Sequence, residues 1–161
     1  MGVLALIDRY AGVTPTPVAA IAAELGATFV EREMPAHVLG QITPKDGGFE
    51  IAVNAATAAE RRRFTAAHLL GHMIYHRDLI GDGVSETHAY RPGGGHLQNR
   101  AITISHERQA TTFAANLLMP AKALADAASR AAEGVIDQAE VAALAKRFGV
   151  TESAMRIRLG A

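Results

Sequence analysis

A chain of 161 residues, 49% of them hydrophobic, is long enough to bury one ordinary core, and a single domain over 1–161 is expected. Lys and Arg total 16 and Asp and Glu total 16, so no global field favours nucleic acid or an anionic membrane surface, and a nucleic-acid partner is not expected. Cysteine is absent, which excludes a disulfide framework and any thiolate metal site and leaves His, Asp and Glu as ligands.

The N-terminal apolar run Val3 to Ile7 is cut off by Asp8 and Arg9, and no run approaches the roughly 18 residues of a membrane span. A cytoplasmic protein without a membrane segment is expected. Thr16 as cap, Pro17, the apolar Val18, Ile21 and Leu25, and the stop at Gly26 predict a packing helix over 16–26. The β-prone stretch Ala27 to Glu33 predicts a strand. Leu39 to Thr43 and Phe49 to Asn54 flank Pro44-Lys45-Asp46-Gly47-Gly48, which predicts a hairpin in a small antiparallel sheet. Thr57 and Glu60 have capping-box spacing, so a helix is expected from about Ala58 to His76. From Arg77 to Ser105 periodicity is weak and glycines are frequent, which predicts a long functional loop, with Ala101 to Ser105 as a short strand. Helices follow over 106–119, 121–132 and 137–148, the last opened by an Asp137/Glu140 capping box and stopped by Gly149. Thr151 caps a final helix to about Leu159.

The chemistry concentrates in RRRFTAAHLLGHMIYH, Arg61 to His76. At about 100° per residue, His68 and His72 lie about 40° apart on one helix face, and two imidazoles so placed can chelate one zinc ion. The known motif with this spacing is His-Glu-x-x-His, whose Glu is the general base for the attacking water in peptide hydrolysis. Leu69 holds that position here, and a leucine neither ligates metal nor accepts a proton. In one large group of peptidases the third ligand is a Glu on a second helix, and Glu107, opening ERQATTFAANLLMP, is the candidate.

With these stretches in order, the sequence resembles the ImmA/IrrE family of metallopeptidase-like proteins. Members read arginine-rich, then Phe-Thr-x-Ala-His-Glu-Leu-Gly-His, then a Glu four residues before Asn, then Phe-Ala and Leu-Leu-Met-Pro. This chain shows RRRFTAAHLLGH, Glu107, Phe113-Ala114 and Leu117 to Pro120, and its N-terminal helix, hairpin and AKRFGVTESAMRIRLG tail keep the family's order. The resemblance implies an α+β fold, a small and mainly antiparallel sheet on a zincin-like helical core, braced by helix-turn-helix-like C-terminal helices. It implies one zinc on His68, His72 and Glu107, and a protein partner such as a helix-turn-helix repressor of mobile elements or stress responses.

Three positions depart from the pattern: Leu69 for the catalytic Glu, Thr111 for the usual Asn, and Asn116 for a usual Glu. Thr111 can still accept a hydrogen bond from a ligand His. General-base assistance is typically worth 10²- to 10⁴-fold, so Leu69 implies a metal site with little or no peptidase activity. The alternatives are a working metalloendopeptidase whose base is Glu86 or His88 on the long loop, and a DNA-binding regulator acting through Lys146, Arg147, Arg156 and Arg158. His76 is expected to face away from the site, His106 to be structural or exposed, and Arg61 to Arg63 to form a solvated helix start.

Overall fold

The computed structural model describes residues 2–87, 99–128 and 136–160. His88 and His96 lie outside the described residues, as does the end of the helix expected over 121–132. The elements run α1 (Val3–Tyr10), α2 (Val18–Glu24), β1 (Ala27–Arg32), β2 (Val38–Lys45), β3 (Gly48–Asn54), α3 (Ala59–Tyr75), a 3-10 turn (Arg77–Leu79), β4 (Val84–Thr87), α4 (Ile104–Leu118), α5 (Ala121–Ala128), α6 (Gln138–Phe148) and α7 (Glu152–Leu159). This is the α+β fold expected from the sequence. Among the described residues no helix is long and apolar enough to cross a membrane.

The sheet order is β1-β3-β2-β4, with β1 parallel to β3 and the two β2 pairings antiparallel. The β2–β3 hairpin turns at Asp46 and Gly47, both at positive φ (49° and 79°), the backbone that a two-residue hairpin loop needs. β4 was not visible in the sequence: it is four residues long, sits in a glycine-rich stretch, and is a strand because β2 pairs with it. The strand expected at Ala101 to Ser105 is absent. Thr103 instead caps α4, accepting from the His106 amide (3.4 Å) while His106 Nδ1 accepts from the Thr103 amide (3.0 Å).

α3 lies at the centre, packed on β2 and β3 on one side and on α4 on the other. Its residues Ala66, Ala67, Leu69, Leu70 and Met73 join Ile42, Ile51 and Val53 of the sheet and Ala114 and Leu118 of α4 in one buried cluster. Close approach to the sheet depends on Gly40, because a Cβ there would come within 2.7 Å of Ala52 O and of Thr65 Cγ2. The start of α3 differs from the expected capping box. Ala58 is the N-cap without a side-chain bond, and the Thr57 hydroxyl donates back to Asn54 O (2.7 Å). The buried Asn54 amide in turn donates to Met34 O, Pro35 O and Val38 O and accepts from the Ala56 amide (3.0 Å), fixing the strand-to-helix passage.

The C-terminal helices brace this assembly. Gly149 ends α6 at φ 67°, in the left-handed region, and its carbonyl accepts from Arg63 Nε at 3.1 Å. Arg63 also donates to Thr16 O (2.9 Å), so it is a half-buried tie between three segments and not part of a solvated helix start. Thr16, expected as a cap, instead donates its hydroxyl to Leu117 O (2.9 Å). Arg158 of α7 donates to Met119 O at the end of α4 (3.0 and 3.2 Å).

Gly40→Ala overfills the α3–sheet contact. The expected loss is about 1–3 kcal/mol of stability, read in a denaturant titration; a variant as stable as the parent would show that α3 has room to move off β2.

Candidate metal centre

His68 and His72 project from one face of α3 into the helix pair, with 3% and 0% of their surfaces exposed. Glu107 enters from the first turn of α4, where the helix N-terminus favours a carboxylate. Gly71, between the two histidines' turns, lets the helices close up: a Cβ there would lie 3.0 Å from Phe113 Cδ1 and 3.1 Å from Ala110 Cα. The result is a convergent set of donors. His68 Nε2 is 3.1 Å from His72 Nε2 and 2.9 Å from Glu107 Oε2, and His72 Nε2 is 3.3 Å from Glu107 Oε1.

Those separations suit one small cation. Two donors at the 2.0–2.1 Å bond lengths of tetrahedral zinc lie about 3.3 Å apart, and all three ligand atoms of this group fall within 4.8 Å of one another. The outer hydrogen bonds agree with the same use. If both Nε2 atoms offer lone pairs, both Nδ1 atoms carry protons and need acceptors. His68 Nδ1–H donates to Thr111 Oγ1 (3.2 Å), so the threonine that replaces the usual asparagine still receives the bond. His72 Nδ1–H donates to His76 Nδ1 (3.0 Å), and His76 Nε2–H donates to Gln109 Oε1 (2.8 Å). The tautomers are assigned by this chain of bonds, which has one consistent direction.

His76 is therefore corrected from an outward-facing residue to a buried hydrogen-bond partner of His72. The helix has ended at Tyr75, and the His76 backbone, at φ −127°, turns the ring back toward His72. His106 stacks on it with ring centroids 4.6 Å apart. Gln109, two residues past Glu107, completes the chain, and no sequence signal marked it.

Charge is concentrated at the same point. Burial opposes a proton on His68, but hydrogen bonds and charges from Glu107 and Glu86 outweigh it and raise the imidazole to about 9. Burial likewise opposes the charge of Glu107, and the bonds from His68 and His72 outweigh it, lowering the carboxyl to about 2. Glu86 reaches the group from β4, with Oε2 2.9 Å from His68 Nε2. Leu69 is fully buried and packs toward Gly40 of β2. Beside His68 lies a cavity of about 290 Å³, lined by Leu39, Arg61, Phe64, Glu86 and Ile157 among others. Ile157 belongs to α7, so the C-terminal helix forms a wall of the cavity as well as a brace.

Residues 22–160 match the sequence model of a peptidase family described as the IrrE N-terminal-like domain. Among solved structures, a Mycobacterium tuberculosis transcriptional regulator is similar, with a TM-score of 0.63 and 20% identity over 98% of this chain and 46% of that one. The present chain thus spans less than half the length of that protein, and the likeness is one of fold. The curated proteins include no match.

The geometry predicts about one divalent ion per chain, none in His72→Ala, and affinity lowered by about 10- to 100-fold in His76→Phe, measured by competition with a chromophoric chelator. Equal affinity in His76→Phe would remove the relay from His72 to Gln109 as a support of the site. A proton and a cation compete for His68 Nε2, and a group raised to about 9 holds its proton at neutral pH. Ion binding at pH 7 should release about one proton, seen calorimetrically as a heat that depends on the buffer's ionisation enthalpy; a buffer-independent heat would contradict it.

Proposed function

Because the chain belongs to the peptidase family of IrrE N-terminal-like domains, we propose that it is a zinc-holding, peptidase-like protein that binds a protein segment beside α3 and hydrolyses it poorly or not at all. Zinc is held by His68, His72 and Glu107. When bound, it would supply Lewis-acid polarisation to a carbonyl that gained access to it. The chain's own residues do the rest: Thr111 orients His68, His76 and Gln109 orient His72, and the walls of the cavity receive the partner.

One observation carries the reading. The helix position that holds the family's general base is Leu69, fully buried against the sheet at Gly40, so no carboxylate stands on α3 between the two histidines. Loss of general-base assistance removes about 10²- to 10⁴-fold of rate, while the metal group and the cavity are retained. Leu39, Phe64 and Ile157 give the cavity apolar walls and Arg61 and Glu86 give it polar ones, a composition suited to side chains of an extended peptide. β4, which ends the strand order next to β2, is the strand such a peptide would follow. The family resemblance makes a helix-turn-helix repressor the favoured partner.

A second reading keeps hydrolysis and assigns the base to Glu86, and the 2.9 Å approach of its carboxylate to His68 favours it. A third, DNA binding through the C-terminal helices, is disfavoured by what their arginines touch: Arg158 is used on Met119 O and Arg156 on Gln138 Oε1 (2.7 Å).

The zinc-loaded parent is expected to leave a mixed-sequence peptide library uncut. In a Glu86→Ala background, which takes the alternative base away, Leu69→Glu should gain about 10²- to 10⁴-fold over the matched Leu69→Gln control, followed by mass spectrometry of the products. Chelator-sensitive cleavage by the parent would overturn the impaired reading and promote the second.

A further inference from the structure

Glu86 is the third residue of β4 and the register partner of Gly40 on β2. Side chains of paired residues on neighbouring strands share a face of the sheet, and at Gly40 that face carries no side chain. Leu69 packs over the space this leaves. The Glu86 Oε2 stands 2.9 Å from His68 Nε2, the same separation that Glu107 Oε2 keeps from that nitrogen. The backbone that delivers Glu86 is itself held. Asn99 Nδ2 donates to Leu79 O (2.8 Å), Ile80 O (2.9 Å) and Gly83 O (3.1 Å), clasping the turn that ends where β4 begins.

Charge gives the second argument. Two neutral imidazoles and one carboxylate leave a divalent ion with a net positive charge in a site whose two histidines are almost wholly buried. A buried unpaired charge is costly, and a second carboxylate removes it. Two imidazoles and two carboxylates are the full complement of four ligands that closes a tetrahedral zinc site; the three donors already convergent are His68, His72 and Glu107, and the partly exposed Glu86, in contact with His68, would join them by a small movement of its side chain. We propose that Glu86 is a fourth protein ligand, so that the ion ties β4 to α3 and α4 and the position left open in a hydrolytic site is filled by the chain itself. The proposal rests on the zinc-holding reading above and deepens it: hydrolysis is blocked by the closed position as well as by Leu69.

The test compares the parent with Glu86→Gln and Glu86→Ala, first by zinc competition with a chromophoric chelator. Loss of a ligand should lower affinity by at least about 100-fold, beyond the roughly 10- to 100-fold typical of an outer partner. The second readout is the visible spectrum of the cobalt-substituted proteins titrated with acetohydroxamate. The parent spectrum should stay unchanged, and that of Glu86→Ala should shift as the hydroxamate takes the vacated position. Glu86 is partly exposed on a short strand, so both variants should melt with the parent when freed of metal, and an affinity loss then reads the ligand and not the fold. Unchanged affinity together with a parent spectrum that responds to hydroxamate would overturn the fourth ligand and leave the three-ligand zinc reading standing. A parent that binds no metal would overturn both. Cleavage by the parent that is lost in Glu86→Gln at unchanged zinc affinity would also overturn the proposal, since it would make Glu86 the base.

Discussion

Everything in this molecule that concerns the metal group follows from how closely α3 can approach its neighbours. Two helices deliver donors to a common point of about 3 Å edge only if their backbones nearly touch, and Gly71 supplies that contact with α4 at Ala110. Gly40 supplies the equivalent contact with the sheet. A methyl group at either place pushes α3 away from a neighbour that delivers a carboxylate to His68: α4 with Glu107, or the sheet edge where Glu86 pairs with Gly40. The packing that builds the core therefore also sets the distances among the candidate ligands, and the two cannot be varied separately.

The orientation of the ligands is a matter of hydrogen-bond direction. A histidine bound through Nε2 needs an acceptor at Nδ1, and each ring here obtains one by a different route. His68 uses a hydroxyl on the facing helix. His72 uses a second histidine, which passes the requirement on to Gln109. The relay terminates on an amide and not on a carboxylate, so no additional negative charge is placed behind His72. The carboxylates are at the front of the site, where Glu107 and Glu86 both meet His68.

Local signals in the sequence were reliable where one turn of backbone decides the outcome. The Asp137/Glu140 capping box, the Gly149 stop and the Thr151 cap stand as read, and the hairpin turn expected within Pro44 to Gly48 falls at Asp46 and Gly47. The same spacing failed at Thr57 and Glu60, because Asn54 organises that corner and the Thr57 hydroxyl donates to its carbonyl instead. The histidine pair was legible because both members lie within one helix, whereas Glu107 was singled out by family pattern and not by spacing. Glu86 was named from the sequence only as an alternative base on the long loop, and the places of His76 and Gln109 behind His72 were not legible. Glu86 depends on a strand that exists through pairing with β2, and His76 lies past the helix end, where helical angles no longer apply. Contacts between distant segments leave no periodic trace.

Asn99 carries a consequence of a different kind. By clasping three carbonyls between Leu79 and Gly83 and accepting from the Ala101 amide (3.0 Å), it joins the approach to β4 to the approach to α4. Glu86 and Glu107, one from each element, thus answer to one shared fastening: a substitution at Asn99, which belongs to neither element, would loosen the footing of both carboxylates at once.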